Sequence, residues 1–189
     1  MQEELKLFVN LIHKIIPVKI YKIHKAIGFY NSILNFKYKK QYCNICRDII
    51  SGNNLNDYLS IKSKKLYNDK LLNYFNIYHF HFDKRKKKRT NELLFFMMDE
   101  DNIYFIGIGN HAHFYKKDII EKAELSFPHL FKNYLYDGEI TDIREVDYLE
   151  SIKGNSTFFL KLNNKIYLAP IVSNGMSVDE VRLYDEIIK

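Results

Sequence analysis

Four histidines and a run of six cationic side chains lie close together in this chain. His79 and His81 alternate along Ile77-Tyr78-His79-Phe80-His81-Phe82, and His111 and His113 alternate along Gly109-Asn110-His111-Ala112-His113. Between the two pairs runs Lys84-Arg85-Lys86-Lys87-Lys88-Arg89. Imidazole is the side chain best suited to move protons near neutral pH, and clustered cations stabilise charge building up on a phosphate. The combination points to acid–base chemistry on a phosphate ester. RNA carries its own nucleophile, the 2′-hydroxyl, so its cleavage needs no metal, only a base, a positive charge and an acid. His81 is the candidate base and His111 the candidate acid, with His79 beside them. Lys87 and Arg89 are candidates to hold the scissile phosphate, and Lys84, Arg85, Lys86 and Lys88 to bind the rest of the RNA.

Blander or different chemistry fits some of the same residues. A cationic run can be a solvated loop, although each Lys or Arg near a polyanion displaces a condensed counterion and adds affinity. In that case the chain is a non-catalytic nucleic-acid- or partner-binding module whose histidines only pack. Alternate residues of a strand project to one side, so His79 with His81 and His111 with His113 also admit a metal-dependent hydrolase. Six neighbouring positive charges oppose a divalent cation there, and neither metal nor other cofactor is expected. Cys43-x-x-Cys46 lacks a second cysteine pair and reads as two core thiols. His13, His24 and His129 read as structural or surface residues. Gly107-Ile108-Gly109 suits a bulge or a close backbone approach better than a phosphate loop. Phe29, Tyr30, Phe36, Tyr38 and Tyr42, near Lys37, Lys39 and Lys40, have the composition of a base-stacking surface, but helical spacing favours core packing for most of them.

The order of these residues resembles the C-terminal half of RelE/YafQ-type toxins. His81-Phe82, a basic loop, Leu93-Leu94-Phe95-Phe96, the turn Asp99-Glu100-Asp101-Asn102 and Gly109-Asn110-His111-Ala112-His113-Phe114-Tyr115 follow one another as in that superfamily. The match covers about 40 of the 189 residues. The resemblance implies a small twisted antiparallel sheet with helices on one face, and an endoribonuclease that cuts mRNA, often on the ribosome. Residue by residue, His111 matches the late catalytic histidine, His81 the early one, and Lys87 or Arg89 a further basic position. The family's aspartate before the central strand falls at Asn91, so its role is lost or moved to Glu92. RNA, the ribosome and an antitoxin protein are the partners such a likeness implies.

The elements that must position these groups can be read from periodicity. Leu5, Phe8, Val9, Ile12, Ile15 and Ile16 predict a helix over 3–16 that Pro17 ends, and Ile20, Ile23, Ile27, Tyr30 and Leu34 predict another over 19–36. Short helices are expected at 46–50, before the Ser51-Gly52-Asn53-Asn54 turn, and at 69–75. Alternation over 77–82, an apolar run over 93–98 and a return strand over 103–108 predict an antiparallel meander. A helix over 117–130, weakened near Pro128, follows. A hairpin around Asn163-Asn164 and a last helix from the Ser177 cap complete the chain. The fold class is thus α+β: a RelE-like meander sheet with an N-terminal helical extension and a C-terminal hairpin plus helix. Residues 1–68 form the extension and 69–189 the catalytic domain, unless the whole is one domain.

Apolar residues at 47% and aromatic residues at 15% supply ample core material for 189 residues. The net charge of +6 is unevenly spread: residues 1–116 hold 20 Lys/Arg against 10 Asp/Glu, and residues 117–189 hold 9 against 13. Two cysteines are too few for a disulfide framework, which points to a reducing compartment. The acidic start Met1-Gln2-Glu3-Glu4 does not read as a secretory leader, and no apolar run reaches the ~18 residues a membrane span needs. A cytoplasmic protein without membrane contact is the expectation.

Overall fold

The structure, a computed structural model, describes residues 14–60, 70–84, 89–115, 117–135 and 158–169. The predicted helices over 3–16 and from Ser177 onward lie essentially outside the described residues, as do His13 and Arg85, Lys86, Lys87 and Lys88.

The expected meander is present. Strands β2 (Tyr78–His81), β3 (Glu92–Met98) and β4 (Asn102–Asn110) pair antiparallel in sequence order. Asp99 makes the tight connection between the last two: its Oδ1 accepts from the Asn102 backbone N–H, and its Oδ2 accepts from the Tyr104 hydroxyl. A bulge falls at Phe95/Phe96, where β4 holds one extra residue, Ile106, between the partners Gly107 and Phe105.

A fourth strand, β1 (Lys22–Lys25), pairs parallel with β4, giving the order β1-β4-β3-β2. This corrects the helix expected over 19–36. Most of the apolar residues at helical spacing there, Ile20, Ile27, Tyr30 and Leu34, are exposed, whereas Tyr21, Ala26 and Phe29 turn inward. The open edge of β4 offers backbone partners that a helix could not use, and Gly28, at φ +70°, ends the strand segment and admits only the short helix α1 (Phe29–Leu34). The helix expected at 46–50 is longer, α2 (Lys39–Ile50), and seats Tyr42, Ile45 and Ile49 against the sheet.

Alternation along the strands sorts side chains into two cores. Tyr78, Phe80, Leu94, Phe96, Ile103 and Phe105 pack under α1 and α2. Leu93, Phe95, Met97, Tyr104 and Ile106 pack under α3 (Lys70–Phe75), α4 (Asp118–Ser126) and the hairpin of β5 (Phe158–Leu162) and β6 (Lys165–Ala169). Helices therefore cover both faces, where the toxin likeness implied one. The hairpin turns at Asn163 and Asn164, both at positive φ as a two-residue turn of this hand requires. It is fastened to α4 by the buried Glu124 carboxylate, which accepts from the Tyr167 hydroxyl at 2.5 Å, Asn163 Nδ2 at 2.5 Å and Lys165 Nζ at 3.1 Å.

Candidate active site

Strand β2 is the edge of the sheet, and its register decides where the histidines go. His79 lies opposite Phe95 and His81 opposite Leu93; across β3 the same rows continue to Gly107 and Gly109 of β4. All six positions face α3 and α4. The alternation of β2 predicts one polar face, yet His79 and His81 are 8% and 4% exposed, because that face of the sheet is covered by α3, α4 and the turn that follows β4.

The two glycines of β4 leave room above the strand. A Cβ on Gly109 would stand 2.9 Å from the His113 ring, and one on Gly107 would stand 3.6 Å from Lys122 Nζ. With His113 resting on Gly109, the chain leaves β4 in a tight 3₁₀ turn, His111–Tyr115. The Asn110 backbone N–H donates to His113 Nδ1 and the Ala112 N–H to Asn110 Oδ1. That turn brings His111 back over β2. Ring centroids are 5.9 Å apart for His81 and His111, 6.5 Å for His79 and His111, and 6.0 Å for His79 and His81. Three imidazoles thus surround one point, buried at His79 and open at His111, which is exposed.

His81 has a defined tautomer. Its Nδ1 lies 3.0 Å from the Thr90 carbonyl oxygen, which can only accept, so Nδ1 carries the proton and Nε2 keeps its lone pair. Thr90 is itself fixed: its hydroxyl accepts from the Phe82 backbone N–H and donates to the Glu92 carbonyl. Burial, with His111 and Arg89 nearby, pushes His79 down to about 3. Burial also brings His81 down to about 4; the Thr90 contact opposes it, and His79, Arg89 and His111 add to it. Both rings are neutral at pH 7. Arg89 donates from its guanidinium to the Leu59 carbonyl, and its buried Nε has no hydrogen-bond partner among the described residues. The Arg89 guanidinium lies near enough to His79 and His81 to disfavour a proton on either ring.

The other predicted residues are placed differently. Lys84 stands on the α2 side, 2.6 Å from the Asp48 carboxylate and above the Tyr58 ring. Burial pushes Asp48 upward, but Lys84, Tyr58 and Asn53 outweigh it and hold the carboxyl at about 2. Glu92 pairs with Lys37 at 2.5 Å, away from the imidazoles. His113 stays at the turn, its Nε2 3.8 Å from the Asp118 carboxylate. His24 bonds Asn102 and stacks on Tyr104, and His129 also meets Tyr104. Cys43 and Cys46 are free thiols on α2; Cys43 is exposed, so it is not the core thiol expected. Among the described residues no three His, Cys, Asp or Glu side chains are disposed to share a metal ion. Sequence reasoning missed Thr90, whose only signal is a hydroxyl at the end of the basic run.

The chain matches no family model, no curated protein and no solved structure. Its candidate site therefore stands on the geometry above. Among the described residues no helix is long and apolar enough to cross a membrane.

Proposed function

We propose that the chain is a metal-independent endoribonuclease of toxin or phage-defence type that cleaves RNA by attack of the 2′-hydroxyl. The observation that carries this reading is the gathering of His79, His81 and His111, at 5.9–6.5 Å between rings, beside the Arg89 guanidinium. His81 Nε2 takes the 2′-hydroxyl proton, the 2′-oxygen forms a bond to phosphorus, and the bond from phosphorus to the 5′-oxygen breaks. His111, as imidazolium, gives its proton to that leaving oxygen. Arg89 and, from the basic run, Lys87 balance the charge on the pentacovalent phosphorus, and His79 presents a third nitrogen to the phosphate. A neutral His81 is a weak base in the empty site. An anionic phosphate among the rings offsets the burial and the like charges, so proton uptake becomes favourable once RNA is bound.

The products are a 2′,3′-cyclic phosphate and a 5′-hydroxyl. Incubating RNA with the protein in EDTA should yield both ends, and His111→Ala should slow cleavage by about 10²–10⁴-fold. Inducing the wild type should arrest growth where His111→Ala does not. Activity lost in EDTA and regained with zinc or manganese would instead establish the metal-dependent hydrolase. In this reading the ribosome and an antitoxin are the partners to look for.

One observation favours a second reading. His79 and His81 are buried as packing residues are, which suits a module that binds nucleic acid or a protein partner without turnover. Salt-sensitive RNA binding that is unchanged by His111→Ala, with no cleavage, would decide for it.

A further inference from the structure

Helix α2 carries Cys43 and Cys46 one turn apart, on the side of the sheet opposite His79 and His81, and the proposed cleavage uses neither thiol. Cys46 is half-buried against the core under α1 and α2, whereas Cys43 is exposed. The buried Tyr42 ring packs on Phe29 and Phe105 and sets its hydroxyl against the Cys46 sulfur. From β1 the Lys25 ammonium, 3.2 Å from the Tyr30 hydroxyl, lies near enough to favour negative charge on that sulfur. Burial is the largest influence on the Cys46 thiol and pushes it up; Tyr42 and Lys25 oppose it.

Spacing decides what this pair of sulfurs can do. Residues three apart on a helix have Cβ atoms ~5–6 Å apart, whereas a disulfide holds them at ~3.5–4.5 Å. Closing one would distort α2 where Tyr42, Ile45 and Ile49 seat it against the sheet. A metal ion relaxes that demand. With metal–sulfur bonds of about 2.3 Å, two thiolates on either side of one ion stand roughly 4–5 Å apart, a span that the undistorted helix supplies. A structural zinc needs four ligands, and among the described residues no third His, Cys, Asp or Glu joins the pair. Soft thiolates select Cu(I), which two sulfurs in line satisfy. Such a complex bears a single net negative charge, and the Lys25 ammonium and the Tyr42 hydroxyl are placed to stabilise it.

We infer that Cys43 and Cys46 form a two-coordinate site for Cu(I), with Cys43 as its solvent-facing entry and Lys25 and Tyr42 as the groups that stabilise the anionic complex. Binding releases the two thiol protons and changes no oxidation state. The site stands independently of the nuclease reading.

The full chain, reduced and kept free of oxygen, is titrated with Cu(I) presented as its bathocuproine complex, whose loss of colour reports transfer. Wild type should withdraw one ion per chain, and X-ray absorption should show sulfur neighbours only. Cys43→Ser and Cys46→Ser should each weaken binding by more than about 100-fold, beyond the ~10–100-fold that an outer hydrogen-bond partner is worth, while His111→Ala keeps it. Cys43 is exposed, so its serine variant keeps the core intact, and an unchanged circular dichroism spectrum checks this. No transfer from bathocuproine, transfer retained in Cys43→Ser, transfer lost in His111→Ala, or one ion shared between two chains in the native mass spectrum each overturns the site.

Discussion

At the scale of single residues, the geometry of the site depends on Thr90, a group that reaches the substrate only through His81. Thr90 holds His81 by its carbonyl and closes the end of β2 by its hydroxyl. Thr90→Val keeps the shape but leaves the buried Phe82 N–H without an acceptor, which costs about 1–3 kcal/mol. A urea titration should show that loss, and Thr90→Ser should recover most of it; equal stability of Thr90→Val and wild type would mean that the hydroxyl fixes nothing. His79 gives the fold a pH dependence. Its folded value of about 3 lies below the ~6.5 of an unfolded histidine, so the unfolded chain binds the proton first. The stabilisation is complete above pH 6.5 and is lost as the pH falls toward 3. At pH 5 protonation of the unfolded histidine costs about 2 kcal/mol, and His81 acts in the same direction. Urea midpoints at pH 7.5 and pH 5 should therefore lie closer together in His79→Asn than in wild type; an identical gap would show that His79 does not titrate on unfolding.

At the scale of elements, the site is made by the end of one strand and the turn after another. Gly109 is the last residue but one of β4, and the His113 ring lies against it. In Gly109→Ala a methyl would stand 2.9 Å from that ring, so His113 must move and the turn that carries His111 moves with it. Activity should fall by tenfold or more, with a cost in stability of about 1–3 kcal/mol for the crowding. The backbone amides of 110–113 should lose hydrogen-exchange protection while β3 keeps its own. A Gly109→Ala protein as active as wild type would mean that the turn does not position His111. Strand pairing was legible in the chain because alternation and the Asp99–Asn102 turn are local signals. Strand β1 was not, because what makes it a strand is the open edge of β4, some eighty residues away.

At the scale of the whole molecule, charge and layering act together. The cationic half of the chain holds the sheet and the candidate site, and RNA affinity should fall steeply with salt, with a logarithmic slope of roughly −0.7 for each phosphate contacted on a single strand. Filter binding between 50 and 200 mM salt measures it, and a flat response would argue against phosphate contacts of any kind. Covering both faces of the sheet also buries groups that a one-sided sheet would leave wet. The two cores on either side of β3 and β4 make those strands the rigid centre of the fold, and the site sits where their cover ends.

The local grammar of the chain determined the meander, the α4 segment, the Asn163-Asn164 hairpin and the set of imidazoles beside a basic run, because periodicity and turn chemistry act over a few residues. Only the tertiary structure decided which imidazoles meet. His111 joins His79 and His81 while His113 stays on Gly109, and Arg89 reaches the site while Lys84 is held by Asp48 on the other side. The reason is physical: strand register and the cover on each face fix direction and burial in three dimensions, and neither is carried by the spacing of residues along the chain.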